Sequence, residues 1–162
     1  MTDPKPFREA MSRLGAAVNI VTTDGAAGRY GIVASAVCSV TDSPPTILVC
    51  VNRGSRANAV LKQNGVLCVS ILSGRHEQLS AAFASRTPEE RFAVGEWQEL
   101  ETGSPALLDA AAALDCRIVD VNEVGSHSVF FAEVRELVLH DEVEGLVWFD
   151  RGYYRLKSAK QT

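Results

Sequence analysis

The stretch ASAVCSVTDSPPTILVCVN, residues 34–52, sets the fold class of this chain. Two strand-like runs, 30–40 and Thr46–Val51, flank a loop at Asp42–Pro45, where an aspartate and two prolines favour a turn. The unbroken apolar character of the second run predicts a fully buried strand. Because the loop is so short, the two runs are expected to pair as an antiparallel hairpin.

Outward from this hairpin, the chain continues as short strand-like and helical runs. Ser55 is predicted to cap a helix that ends at Asn64-Gly65. Residues 86–103 are polar and irregular, which is typical of a functional loop. Strands are predicted at 16–23, 30–40, 46–51, 66–72, 114–122, 128–140 and 146–149, and helices at 7–15, 55–63 and 76–84. Strands and helices do not alternate regularly, so we expect one domain over residues 1–162, an antiparallel, mainly β barrel with peripheral helices.

Composition excludes several classes of protein. The chain has 162 residues, a net charge of −4 and 46% hydrophobic residues, with no apolar run of membrane-helix length. The N-terminus lacks the apolar core of a signal peptide, so a cytoplasmic protein is expected, without membrane association. Mild acidity argues against nucleic-acid binding. The four cysteines form no CxxC pair and no zinc-ligand spacing, so no metal site is predicted. Three of them lie in strand-like runs and are predicted to be buried free thiols: Cys38, Cys50 and Cys68.

The segment GIVASAVCS, residues 31–39, is a first candidate site. Its small residues and the hydroxyls of Ser35 and Ser39 would let a flat ligand approach the backbone, whose N–H groups can bind an anion or a ring edge. From the pattern alone, an ordinary strand at a tight corner of a barrel is the favoured interpretation. Neither GxGxxG nor a Walker-type motif is present, so a Rossmann-type dinucleotide site is not expected.

The segment CVNRGSRAN, residues 50–58, is a second candidate, for a phosphate. A buried strand leads into a helix start with Ser55 and two guanidinium groups, Arg53 and Arg56. Helix N-termini attract anions, and arginine adds charge-assisted hydrogen bonds. A capped helix with two solvated arginines explains the same residues equally well.

Two later segments have weaker signals. His127 lies between two serines at the head of a strand, where it could contact a cofactor or contribute only loop polarity. A hydrolytic triad is not favoured, because no GxSxG elbow is present. Residues 148–155 interleave aromatic side chains with arginines, which can bind a ring and a phosphate but more often form core or dimer contacts.

Together, these segments resemble the flavin reductase-like family, the small reductase components of two-component flavin monooxygenases. The resemblance covers essentially the whole chain. Its pieces, in order, are FREAMSRLGAAVNIVTT, ASAVCSVTDSPPTILVCVNRGSRAN, NGVLCVSIL, GSHSVFFAEV and LVWFDRGYYRL. The chain departs from the family pattern at Val33, often Thr, and at Tyr154, often His, and residues 86–103 align poorly.

The resemblance implies a split β-barrel homodimer that reduces FMN or FAD with NADH or NADPH and passes diffusible reduced flavin to a monooxygenase component. His127 would sit near the nicotinamide, where it is the candidate catalytic residue. Arg151 and Tyr153 would close the pocket. The residues implied to line the flavin or hold its phosphate are Ala34, Ser35, Ala36, Val37, Cys38, Ser39, Cys50, Val51, Asn52, Ser55, Arg56 and Asn58.

Two alternatives remain at this point. The chain could be a reductase that keeps its flavin and reduces another acceptor, such as a metal centre or a corrinoid. It could also be a non-catalytic barrel that binds flavin or haem.

Overall fold

The computed structural model describes residues 3–141 and 144–159. Met1 and Thr2, on which the signal-peptide interpretation partly rests, lie outside these residues. The helices are α1 Pro4–Ser12, α2 Arg56–Asn64, α3 Glu77–Ser85, extended at its start by a 3-10 turn at Gly74–His76, and α4 Pro88–Phe92. The strands are β1 Ala16–Ala17, β2 Asn19–Thr23, β3 Tyr30–Ala34, β4 Val37–Asp42, β5 Pro45–Asn52, β6 Val66–Ile71, β7 Trp97–Glu99, β8 Pro105–Leu107, β9 Ala112–Val124, β10 His127–Leu139, β11 Glu144–Phe149 and β12 Gly152–Lys157.

A seven-stranded antiparallel sheet forms the body of the fold. Its strand order is β3-β2-β6-β9-β10-β5-β4, and β1, β11 and β12 form a second, three-stranded sheet. The large sheet does not close by hydrogen bonds, because β3 and β4 are its two edges. The predicted mainly antiparallel, split-barrel architecture is therefore confirmed, with the split lying between two strands that are consecutive in sequence.

The hairpin quoted first is present as β4 and β5, but β5 is buried on one face only. Ile47, Val49 and Val51 enter the core, whereas alternate residues such as Cys50 are half-buried. The prediction that β5 is fully buried was wrong, because its second face borders an open groove. The predicted burial was also wrong for two thiols: Cys38 is exposed on edge strand β4, and Cys50 is only half-buried. Cys68 is buried in the core, as predicted.

The second helix follows its sequence signals closely. The Ser55 side chain accepts a hydrogen bond from the Asn58 N–H, and Gly65 ends the helix in the left-handed region at φ 70°. Both caps were predicted. The cap at the start of α2 fixes where the chain leaves β5 and turns into the helix.

The other helices differ from the predictions in their limits. The first helix begins at Pro4 instead of Phe7, because Asp3 caps it by accepting from the Lys5 N–H. Residues 86–103 contain α4 and β7 and are not irregular. A capping box between Thr87 and Glu90 starts α4. No helix in the described part of the chain is long and apolar enough to cross a membrane.

Candidate functional site

An open groove lies where β3 passes into β4, opposite the end of β5. The Cys50 N–H donates to the Ala36 carbonyl at 3.0 Å, and strand pairing with β4 begins only at Val37. Main-chain groups alternate sides along a strand, so the Asn52 N–H faces the same side as that of Cys50, beyond the last β4 partner. The groove has a volume of about 320 Å³. Its lining residues are Ile32, Val33, Ala34, Ser35, Ala36, Cys50, Val51, Asn52 and Ser55.

Two further hollows adjoin the groove. One, of about 380 Å³, is bordered by Ala36, Val37, Cys38 and Cys50 together with residues 14–17. The other, of about 220 Å³, lies between Val33 and the aromatic side chains of Trp148 and Tyr153. Ser35 borders all three spaces. The bend at 35–36 is therefore the centre of one continuous concave surface.

Arg56, the first residue of α2, lies beside the groove and does not line it. Ser55 borders the groove and also caps α2, and Arg56 is exposed. The Arg56 guanidinium carbon lies 5.6 Å from the centre of the Tyr30 ring, as does that of Arg91. Arg53, the second predicted cation, forms an ion pair with Glu123, and its Nε lies 2.8 Å from Glu123 Oε2. Arg56 is therefore the better placed of the two for an anion.

Asn58 lies beneath this loop and is buried. Its Nδ2 donates to the Val51 carbonyl at 3.1 Å and to Ser128 Oγ at 2.9 Å. The Ser128 hydroxyl in turn donates to Glu123 Oε2 at 2.9 Å. Hydrogen bonds from Lys62 and Ser128 hold the pKa of Glu123 below its ordinary value, which keeps this carboxylate charged as an acceptor. Asn58 thus supports the groove wall from behind.

His127 begins β10 next to the groove. It pairs with Asn52 across β5 and β10, and its exposed ring has Nδ1 2.9 Å from Ser126 Oγ. The ring does not line any of the three spaces, but its strand neighbour Asn52 does. His127 therefore lies at the rim of the groove, where its side chain can contact a ligand that lies over one bound in the groove.

Tyr153 and Arg151, which were predicted to close the pocket, lie in different surroundings. The Tyr153 ring borders the 220 Å³ hollow, and its hydroxyl lies 2.8 Å from Ser80 Oγ. Arg151 does not border the groove; its Nη2 lies 2.6 Å from Glu9 Oε2 on α1. Of the remaining predicted residues, Ser39 is exposed on β4 and does not line the groove.

Four contributors were not among the site residues named from the sequence, although three of them, Ile32, Val33 and Trp148, fall within the candidate segments 31–39 and 148–155. Ile32 and Val33 line the groove from β3, and Trp148 borders the neighbouring hollow. The Arg56 guanidinium packs over the ring of Tyr30. The alternation of β3 places Tyr30 and Ile32 on the same side of that strand, which was an available signal. Trp148 lies on the separate small sheet, and its approach depends on tertiary packing.

Known proteins resemble this chain over nearly its full length. Residues 11–157 match the family described as "Flavin reductase like domain". The protein named FMN reductase (NADH) RutF from Enterobacter cloacae is 54% identical over 155 residues, which cover 95% of this chain and 94% of that protein. A structure from Haemophilus somnus 129PT, assigned as a flavin reductase, has a TM-score of 0.93 and 42% identity, covering 96% of this chain and 100% of that one.

A third similar protein is the reductase component of a two-component system. BorF, the flavin reductase component of a bacterial two-component tryptophan halogenase, has a TM-score of 0.88 and 26% identity, covering 96% of this chain and 99% of that chain. Fold and sequence agree with the resemblance seen in the motifs. This chain belongs to the flavin reductase-like family.

Proposed function

We propose that this protein reduces FMN with NADH and releases the reduced flavin to a separate monooxygenase. The predicted enzyme class, a nicotinamide-dependent flavin oxidoreductase, is confirmed by the close relatives named FMN reductase (NADH). The choice of FMN and NADH over FAD and NADPH is our proposal and rests on those names. The structural observation that supports flavin reduction is the open groove. It runs from the bend at 35–36 to the start of α2, whose first residue is Arg56.

The residues present fit a flavin. The small side chains of Ala34, Ser35 and Ala36 leave backbone accessible for a flat ring, and the neighbouring hollows extend the space on both sides. The N-terminus of α2 and the Arg56 guanidinium suit a terminal phosphate. When bound, the flavin supplies the hydride acceptor of the reaction.

The chain's own residues have binding and electrostatic roles. The Asn52 N–H faces the groove and can donate to a ring edge on which negative charge develops. Ile32 and Val33 give one side of the groove an apolar wall against which a flat ring can pack. His127, at the rim beside Asn52, is placed to orient the nicotinamide ligand. None of these roles requires a side chain to gain or lose a proton.

We further propose a homodimer in the cytoplasm. The support for the dimer is an apolar surface on α1, the turn that follows it and the second sheet. Its residues, all exposed in the single chain, are Phe7, Met11, Leu14, Phe149 and Tyr154. Exposed apolar patches of this kind are typical of interfaces. The Arg151–Glu9 ion pair links α1 to the second sheet within this surface.

The deciding experiment measures NADH oxidation by the purified protein with and without added FMN, then with FAD and with NADPH. We expect a rate that rises and saturates with free FMN and is lower with FAD or NADPH. Tight flavin binding with no oxidation of either nicotinamide would favour a binding protein. Oxidation that requires a third acceptor would favour a reductase that retains its flavin.

A further inference from the structure

Two of the four cysteines share one face of the β4–β5 hairpin. Cys38 stands opposite Leu48, and Cys50 lies two residues further along β5. Such diagonal neighbours point to the same side of an antiparallel pair, with Cβ atoms roughly 7 Å apart or closer. Both side chains border the 380 Å³ hollow. The other two thiols, Cys68 and Cys116, are buried.

The two thiols are unequal in exposure and close enough to interact. Cys38 is exposed, and its Sγ lies 3.1 Å from the Ser39 carbonyl, whereas Cys50 is half-buried. Burial raises the pKa of Cys50 above the ordinary thiol value, and the nearby Cys38 sulfur adds to that rise. A disulfide needs Cβ atoms about 3.5–4.5 Å apart, so the start of β4 must move toward Cys50 and give up the hydrogen bond from the Cys50 N–H to the Ala36 carbonyl. Because β4 pairs with β5 only, this movement breaks no other ladder.

Cys50 also lines the groove itself. Its side chain therefore belongs to the wall shared by the groove and the 380 Å³ hollow. A bond from Cys50 to Cys38 would draw this part of the wall toward the hollow and change the shape of the groove. Geometry and position together make the pair a candidate switch on flavin binding.

We propose that Cys38 and Cys50 form a reversible disulfide, driven by hydrogen peroxide, that weakens flavin binding in the groove. The proposal rests on the proposed function, because reduced flavin that meets dioxygen instead of a partner enzyme is reoxidised and yields hydrogen peroxide. Peroxide therefore builds up in the solution around the enzyme whenever released reduced flavin is not captured by its partner. The disulfide then slows further unproductive flavin reduction.

The chemistry balances with peroxide as the sole oxidant. The exposed Cys38 sulfur attacks one peroxide oxygen, the O–O bond breaks, and a sulfenic acid and water form. The Cys50 sulfur then attacks the Cys38 sulfur, the S–O bond breaks, and hydroxide leaves with the Cys50 proton as a second water. Two thiols are oxidised to one disulfide, and one peroxide is reduced to two waters. A dithiol reductant reverses the change.

FMN binding and disulfide formation are thermodynamically linked in this scheme. If the disulfide lowers the affinity for FMN, bound FMN must oppose disulfide formation by the same factor. Saturating FMN should therefore protect the two cysteines. Protection of this kind is not expected for a disulfide that forms independently of the groove.

The test treats the fully reduced protein with a small molar excess of hydrogen peroxide and measures its intact mass and its KM for FMN. We expect a loss of two hydrogens (about 2 Da) per chain, a Cys38–Cys50 linked peptide, and a KM for FMN raised at least about fivefold. Dithiothreitol should restore both values, and prior addition of FMN should slow the mass change.

Two cysteine variants show which thiols form the disulfide. Cys38→Ser should lose the 2 Da change, and its own KM should not respond to peroxide, whereas Cys68→Ala should respond like the unmodified protein. Oxygen addition without a disulfide, a bond between two chains, or a disulfide that leaves the KM unchanged would overturn the proposal. If the reduced protein fails to oxidise NADH with FMN, the proposed function fails separately, and FMN titration by fluorescence replaces the KM as the readout.

Discussion

At the scale of single residues, the candidate site combines groups that the sequence identified with groups whose role depends on packing. Arg53 and Arg56 look equivalent in the sequence, yet Glu123 holds Arg53 and leaves Arg56 for an anion. Asn58 matches the motif residue expected at a phosphate, but its Nδ2 is bonded to Val51 and Ser128 inside the protein. The motif predicted which segment forms the site; which side chains are free to bind depends on partners about seventy residues away.

Arg56→Ala should weaken binding of FMN more than turnover. A charge-assisted hydrogen bond to the phosphate contributes about 1.5–3 kcal/mol, so the KM for FMN should rise roughly tenfold or more while kcat changes little. Initial rates of NADH oxidation at varied FMN measure both. Arg117→Ala, which removes an exposed guanidinium on β9, is the matched control and should leave the KM unchanged. An unchanged KM for FMN in Arg56→Ala would remove Arg56 from the site.

His127→Ala should raise the KM for NADH severalfold and keep most of kcat. The reason is its exposed position at the rim beside Asn52, where it can orient a ligand without transferring a proton. Rates at varied NADH with saturating FMN provide the measurement. Complete loss of turnover, with flavin still bound and NADH saturating, would contradict an orienting role.

At the scale of elements, local signals predicted α2 and most strands, but not every boundary. Ser55 and Gly65 cap α2 as predicted, because capping residues act within one turn. The sequence did not predict α4, which has five residues, or β12, whose residues are mostly exposed. Elements this short depend on their neighbours: Phe92 packs against Phe83 and Trp97, and β12 pairs along β11.

Ser128→Ala should destabilise the junction between β5, α2 and β10. It removes the acceptor of the Asn58 amide and the donor to Glu123, and Asn58 is buried. A buried polar group left without its partner costs about 1–3 kcal/mol, which corresponds to a Tm lowered by roughly 2–12 °C. Thermal unfolding followed by circular dichroism gives this value. Ser126→Ala, a neighbouring exposed serine, should unfold within about 2 °C of the unmodified protein.

At the scale of the whole molecule, strand order is the feature that local patterns could not provide. Sequence patterns indicated antiparallel β structure, but the neighbours β2 and β6, or β10 and β5, are far apart in the chain. The split barrel was expected only through the resemblance to a family. The open split between β3 and β4 then accounts for the position of the groove.

The unmodified protein should sediment as a dimer, with twice the chain mass of 17.5 kDa. Phe7, which is 67% exposed on α1, should be covered by the second copy, so Phe7→Glu should give single chains at the same concentration. Leu139→Glu alters an equally exposed apolar residue on β10, away from that surface, and should remain dimeric. A single-chain mass for the unmodified protein would refute the dimer.

The pairing of β5 with β10 also determines when the groove can form during synthesis. Asn52 meets His127 across these strands, so one wall of the groove stays unsupported until the ribosome has released residues some seventy-five positions later. Pairings of such long sequence separation are slow to form. The nascent chain therefore exposes the apolar residues of β5 well before the groove can hold a ligand. Competence to bind a ligand therefore arises late in synthesis, after β10 has been made and can pair with β5.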